Sequence, residues 1–351
     1  MVPRSTFPVP GSRSGSGSRS GSGSWFRVHA LLLVCFLSVS VRAQEERKTV
    51  RVEASDETMG TTFTVVVHGR DREALALAAR AALAEAVRLD NLLSNYKPDS
   101  EWSVMNREAA HAPFVVSPEL FTVLEACLTY HRDTDGAFDV SVGPLMKVWG
   151  FFKGEGTLPS AAVVKRALED VGSGKVRLDR ATRTVHFLQP GVELDPGGIG
   201  KGYAIDRMVE VLKDRGVRAA FLSAGGSSIY GLGAPPDNPR GWSVVIRNPR
   251  APSGVVSTQF LKDASLSTSG SDEKFFRAGG RAYSHIMDPR TGSPATGSSS
   301  VSVIAPRTID SEAWTKAYFV NGASWAARHR LNDARVLMCD DSATAACRWI
   351  E

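Results

Sequence analysis

Apolar residues recur every three to four positions through "REALALAARAALAEAVRLDNLLSNY" (Arg72–Tyr96), and its Ala and Leu content makes this the clearest helix in the chain. The same spacing predicts helices over Ser117–His131, Ser160–Val171, Gly202–Arg215 and Ser311–Leu331. Apolar and β-branched runs predict strands at "MGTTFTVVVHG" (Met59–Gly69), "RTVHFL" (Arg183–Leu188), "AAFLSA" (Ala219–Ala224), "WSVVIRN" (Trp242–Asn248), "DASLSTS" (Asp263–Ser269), "RAYSHIM" (Arg281–Met287) and "SSVSVIAP" (Ser299–Pro306). From Ala219 to Pro306 the strands follow one another without intervening helices, which argues for an antiparallel sheet. No repeat, heptad or strict strand–helix alternation is present. The pattern predicts an α+β fold, a mostly antiparallel sheet packed with helices, and excludes a doubly wound nucleotide fold.

The first 43 residues break this pattern. "GSRSGSGSRSGSGS" (Gly11–Ser24) is low in complexity and buries nothing, and "VHALLLVCFLSVSV" (Val28–Val41) is an apolar run too short for a confident membrane span. With "VRA" before Gln44, residues 1–43 read as a signal peptide or N-terminal anchor, leaving 44–351 as one large domain or two coupled ones. Five arginines and no acids lie in the leader, so the rest of the chain carries 37 basic against 37 acidic residues. That balance gives no reason to expect nucleic acid or an anionic membrane as a partner. Cys339 and Cys347 lie eight apart and are able to pair in an oxidising compartment; no CxxC or Cys/His spacing suggests zinc.

Several segments carry candidate chemistry beside an ordinary structural reading. "YSHIMDPRTG" (Tyr283–Gly292) puts a histidine near the end of a strand and three residues before an Asp-Pro turn, a place for either a catalytic base or an ordinary strand-end side chain. In "ELDPGGIGKGYAIDRM" (Glu193–Met208) an acid, a glycine-rich turn and Lys201 precede a helix, which suits an anion or a tight strand–helix connection, but the spacing is neither Walker A nor GxGxxG. "LSAGGSSIYGLG" (Leu222–Gly233) places paired glycines after a strand, for close ligand approach or simply a turn. Tyr96, in "SNYKPDSEWSVMN" (Ser94–Asn106), either stacks on a ring or seals the core edge. Asp139 is embedded in the apolar "DGAFDVSVGPLMKVWGF" (Asp135–Phe151) and needs a hydrogen-bonding partner, from protein or ligand. Glu312, Thr315 and Lys316 fall on one helix face, where Glu before Lys at i,i+4 is also a common surface pair.

Taken in order, "MGT", "SNYKPDSEWSVMN", "GAFDVSVGPLMKVWGF", "LDPGGIGKGYAIDRM", "SAGGSSIYGLG", "TSGSDEKFF" and "YSHIMDPRTGSP" resemble the ApbE family, the FAD:protein FMN transferases, from about Met59 to Gly322. The resemblance implies a T-fold-like α+β architecture with an FAD cleft, in an exported, periplasmic or membrane-anchored enzyme. Such an enzyme transfers FMN from FAD, with magnesium, onto a Ser or Thr hydroxyl of an acceptor protein and releases AMP. Relatives that hydrolyse FAD to FMN and AMP, and a non-catalytic flavin-binding protein, are the alternatives. By position, Met59 would contact the flavin side of FAD, Tyr96 its ring system, and Ala137, Phe138 and Asp139 another wall. Asp195, Lys201 and Ile286 match further FAD-contacting positions, His285 the catalytic histidine, and Gly198 a backbone ligand to the metal.

One departure stands out: the family usually has Asp where this chain has Glu312 and Thr where it has Lys316, and both help hold magnesium. Magnesium requires near-octahedral oxygen ligands at about 2.0–2.1 Å, so an ammonium cannot be one. Two arrangements are open: Glu312 and Thr315 hold the metal from a shifted position, with Asp310 and Gly198 as nearby donors, or Lys316 itself neutralises the pyrophosphate.

Overall fold

The computed structural model describes residues 49–152 and 154–351, so the leader predicted over 1–43 lies outside it. Eight strands form the main sheet: β1 (Val50–Thr58), β2 (Thr61–Gly69), β3 (Ala219–Ala224), β4 (Ser228–Leu232), β5 (Ala264–Gly270), β6 (Ser298–Ala305), β7 (Arg335–Asp340) and β8 (Cys347–Ile350). Their spatial order is their chain order, and every neighbouring pair is antiparallel. The α+β reading therefore holds. Cys339 and Cys347 face each other across β7 and β8 and form a disulfide.

Among the described residues eight α-helices sit in the connections: α1 (Arg72–Leu93), α2 (Glu101–Glu108), α3 (Pro118–Asp133), α4 (Gly143–Val148), α5 (Ala161–Leu168), α6 (Gly200–Asp214), α7 (Thr308–Asn321) and the short α8 (Ala323–Ala326). Helix α1 starts where Asp71 accepts the Glu73 and Ala74 N–H groups, and buries the stripe Leu75, Ala78, Ala79, Ala82, Leu83, Ala86, Leu89 and Leu93. From Leu75 to Leu89 that stripe packs with α6 on Phe63, Val65, Val67, Ala220 and Leu222 of the sheet, while Leu93 joins the core around Trp102. The opposite sheet face is covered by a hairpin of Trp242–Asn248 and Ala251–Leu261, whose Val244, Ile246 and Leu261 meet Leu266 and Leu337. Among the described residues no helix is long and apolar enough to cross a membrane.

Two predicted elements are corrected. The helix expected over Ser311–Leu331 begins three residues earlier and stops at Asn321, because Gly322 takes φ 77° and breaks it. The strand expected over Arg281–Met287 is interrupted: Arg281–Ser284 pairs with Phe275–Ala278, His285 and Ile286 leave the ladder, and Met287–Asp288 pairs with Ser293–Pro294. Histidine 285 thus sits at a bend between two small hairpins.

Antiparallel order in the sheet gathers four connections at one end: the β1–β2 turn, the β3–β4 turn, the long β5–β6 excursion (271–297) and the β7–β8 turn. Helix α7 packs on β5 and β6, and its residues climb towards that same end: Ser311 pairs with Ser265 and Ser267, and one turn later Thr315 pairs with Ser269.

Candidate active site

The β1–β2 turn is a two-residue hairpin with positive φ at Met59 (51°) and Gly60 (69°). A methionine there holds a backbone conformation that costs on the order of 1 kcal/mol, and its side chain packs against the α1–α6 core. The neighbouring β3–β4 turn approaches so closely that a Cβ on Gly225 would lie 2.2 Å from Thr61 Oγ1. Close packing of the two turns thus explains Gly225 of "SAGG", while Gly226 stands in open space at φ 75°, a left-handed conformation that favours glycine.

His285 is held twice by one carbonyl: its backbone N–H donates to Lys274 O at 3.0 Å and its Nδ1 lies 3.1 Å from the same oxygen. Because that partner is an acceptor, Nδ1 carries the proton and Nε2 is left as the basic nitrogen. Burial lowers its pKa to about 4, assisted by the charges of Lys316, Lys274 and Lys201, so the ring is neutral at physiological pH. Phe151 meets the imidazole edge to face at 6.4 Å.

Beside the histidine lies a cavity of about 480 Å³ lined by Tyr96, Phe151, Phe152, Glu273, Lys274 and Phe276, among others. Tyr96 stacks on Phe152 at 4.7 Å and 12° while remaining 62 % exposed, so one face of its ring stays open to a planar ligand. Asp195 accepts from Gly197 N–H at 2.7 Å and from Asn95 Nδ2 at 2.8 Å, and burial raises its pKa against those two donors. Helix α2, not anticipated from the sequence, sets this segment: Trp102 Nε1 and Asn106 Nδ2 both donate to Leu194 O, and Asn106 Oδ1 accepts Leu194 N–H.

Two residues of the predicted wall, and Ile286, predicted to touch the cofactor beside His285, are placed mainly inside the protein. Ala137, Phe138 and Ile286 are buried, with Phe138 and Ile286 in the same core; the Phe138 ring lies against Gly198, where an added Cβ would come within 3.1 Å. Asp139 finds its partners in the protein: it accepts from Ser141 N–H and Oγ and from Ser173 N–H and Oγ, and His131 Nδ1 lies 3.1 Å away. These contacts hold its pKa below the ordinary carboxylate value despite burial. The structure thus answers the open question about Asp139: the side chain is a buttress for the loop.

The cationic part of the site forms where α6 meets α7. Asp206 accepts the Thr308 and Ile309 N–H groups at 2.7 and 2.9 Å, capping α7 from α6. Glu312, 1 % exposed, accepts the Gly202 N–H through Oε2. Its Oε1 has no hydrogen-bond partner but faces Lys201 Nζ at 3.4 Å and Lys316 Nζ at 3.8 Å. Glu273, on the cavity wall, feels both lysines.

These residues do not assemble a magnesium site. Thr315 is fully buried; its hydroxyl lies 2.7 Å from both the Glu312 carbonyl and Ser269 Oγ, which ties it into the seam between α7 and β5. Asp310 is taken by Tyr130 and Arg307. The remaining side-chain oxygen, Glu312 Oε1, is already faced by two ammonium groups. Among the described residues no group of three or more His, Cys, Asp or Glu is arranged to hold a metal ion.

The arrangement joins a neutral imidazole that can take a proton, a cluster of lysines that can face an anion, and an aromatic cavity that can take a planar ring. Residues 59–337 match the model of the ApbE family, and the chain belongs to that family. It is 34 % identical to an FAD:protein FMN transferase of Treponema pallidum over 83 % of this chain and 84 % of that one. It is 32 % identical to one of Salmonella typhimurium over 76 % and 77 %. Among solved structures, it is similar to the ApbE protein of Thermotoga maritima (TM-score 0.79, 29 % identity, 86 % of this chain and 97 % of that one). It is also similar to the flavinyl transferase ApbE of Pseudomonas stutzeri (TM-score 0.76, 26 % identity, 86 % and 95 %).

Proposed function

We propose that this chain is an FAD:protein FMN transferase that attaches FMN to a Ser or Thr hydroxyl of an acceptor protein. The relatives' shared activity supports the reaction, and one local observation carries the chemistry: the His285 ring donates through Nδ1 to Lys274 O, leaving Nε2 neutral and basic among lysines.

An alcohol is a weak nucleophile at neutral pH, so a base must accept its proton as it attacks phosphorus. His285 Nε2 takes that proton. The hydroxyl oxygen forms a bond to the FMN-side phosphorus, the anhydride P–O bond breaks, and AMP leaves with the electron pair; nothing is oxidised or reduced. Negative charge spread over the phosphoryl oxygens meets Lys201 and Lys316. The open face of Tyr96 receives the flavin ring, and Met59 and Asp195 border the cofactor. The resemblance adds magnesium, but the oxygens here do not fit it, and no step in this reading passes through a metal.

The same reading has the chain exported, the N-terminal leader serving as signal peptide or membrane anchor. The Cys339–Cys347 disulfide supports an oxidising, extracytoplasmic compartment.

Incubation of the purified chain with FAD and a co-expressed acceptor tests the proposal: mass spectrometry should find FMN on one Ser or Thr, with equimolar AMP. His285→Asn should lose roughly 10²–10⁴-fold in rate while still binding FAD. AMP and free FMN at the same rate without acceptor would instead make the chain an FAD pyrophosphatase, and tight FAD binding without turnover a flavin-binding protein.

A further inference from the structure

The residues that should hold a metal hold a second lysine instead. Glu312 and Lys316 stand one turn apart on α7, and Lys201 reaches the same carboxylate oxygen from the first turn of α6. The Lys316 stem passes beside Gly198, with Cε 3.9 Å from where a Cβ on that glycine would stand. Gly198 is the backbone position that the resemblance assigned to the metal.

We propose that Lys316, paired with Lys201 and anchored on Glu312, replaces the divalent metal at the FAD pyrophosphate, so that this chain binds FAD without magnesium. The inference rests on the reading of the site as an FAD site.

Three observations carry it. First, the charge count is already favourable to an anion. Two ammonium groups share one carboxylate, whose other oxygen is occupied by the Gly202 N–H. Glu273 is a second carboxyl that feels both lysines, pushed by burial towards its neutral form, and the unpartnered Oε1 keeps both lysines close without binding either tightly. Adding a dication would set two more positive charges beside two ammonium groups at short range. Second, the neighbouring oxygens are committed elsewhere. Thr315 is bonded to Ser269 and the Glu312 carbonyl, and Asp310 to Tyr130 and Arg307, so neither is free to complete an octahedron. Third, Lys316 is positioned by its surroundings: α7 is capped by Asp206 and packed on β5 and β6, and the lysine stem is confined beside Gly198. A buried lysine without an anionic partner costs free energy, and a pyrophosphate is a partner that a single carboxylate shared with Lys201 does not supersede.

The test is FAD affinity of the purified chain, read by flavin fluorescence quenching first in EDTA and then with magnesium. Bound Mn²⁺, read by electron paramagnetic resonance in the presence of FAD, is a second readout independent of turnover. For the unsubstituted chain we expect less than about twofold change in affinity on adding magnesium and no site-bound Mn²⁺. Lys316→Thr should lose roughly tenfold in affinity in EDTA, the worth of one charge-assisted contact, and recover it with magnesium while acquiring bound Mn²⁺.

Lys316→Met keeps the stem but removes the charge. It should lose the same affinity without recovery, and it preserves the test if the threonine variant fails to fold. Tenfold or greater magnesium dependence in the unsubstituted chain, or stoichiometric Mn²⁺ bound to it, overturns the proposal. Failure to bind FAD in either condition overturns it together with the FAD-site reading. Metal-independent binding without FMN transfer leaves it standing and refutes the transferase assignment alone.

Discussion

The sharpest consequence of the site concerns the pH at which His285 stops acting as a base. Desolvation, then the charge of Lys316, lowers the imidazole pKa from 6.5 to about 4. The neutral ring is the active form, so activity should be present above the folded pKa and fall as pH drops through about 4. At pH 5.5 a histidine of ordinary pKa is about 9 % neutral, whereas one titrating at 4 is about 97 % neutral, a roughly tenfold difference in active base. The assay is kcat/KM for FMN transfer against pH, which reports the free enzyme. Lys316→Met removes the second largest cause, so its acid limb, normalised to its own plateau, should move upward from that of the unsubstituted chain. A limb at or above 6.5 in the unsubstituted chain, or coincident limbs in the two proteins, would refute the account of the base.

Three further outcomes follow from packing. Gly202→Ala would bring a Cβ to 2.5 Å from Thr308 O and 2.8 Å from Glu312 Oε2; overpacking of that kind costs about 1–3 kcal/mol, visible as a lower melting temperature together with weakened FAD binding. Asn106→Ala removes both side-chain contacts to the Leu194 peptide and should cost roughly 1–3 kcal/mol in a urea melt; an unchanged midpoint would show that the clamp is dispensable. Reduction of Cys339–Cys347 opens a loop with an eight-residue separation, which the chain-entropy model values at roughly 2–3 kcal/mol; thermal melts with and without reductant measure it.

Much of this molecule was legible in its residues. The alanine-rich period of α1 and the strands at Ala219–Ala224 and Trp242–Asn248 are local signals, and the structure reproduces them with small changes at the ends. Other elements had no such signal. Strand β1 alternates only over Val50–Ser55 and then runs into exposed Asp56 and Glu57, so its apolar signal is short, and β2 supplies its ladder. Helix α2 lies in a segment whose Pro and Asp read as a loop; Ser100 capping and the burial of Trp102 and Met105 make it helical.

The same division runs through the site. By itself, the sequence determined that a histidine would stand at the edge of a turn, that an acid, glycines and a lysine would precede a helix, and that the ordered set of motifs resembles the ApbE family. Those are properties of neighbours in the chain, where spacing and residue type decide. Tertiary structure alone decided that Asp139 spends its oxygens on His131 and Ser173 as well as on neighbouring Ser141, that Thr315 turns to Ser269, and that Lys201 joins Lys316 on one oxygen of Glu312. Each of these depends on which distant group fills a hydrogen-bonding or charge vacancy. A buried polar atom takes the partner that packing brings within reach, and no local pattern encodes that choice.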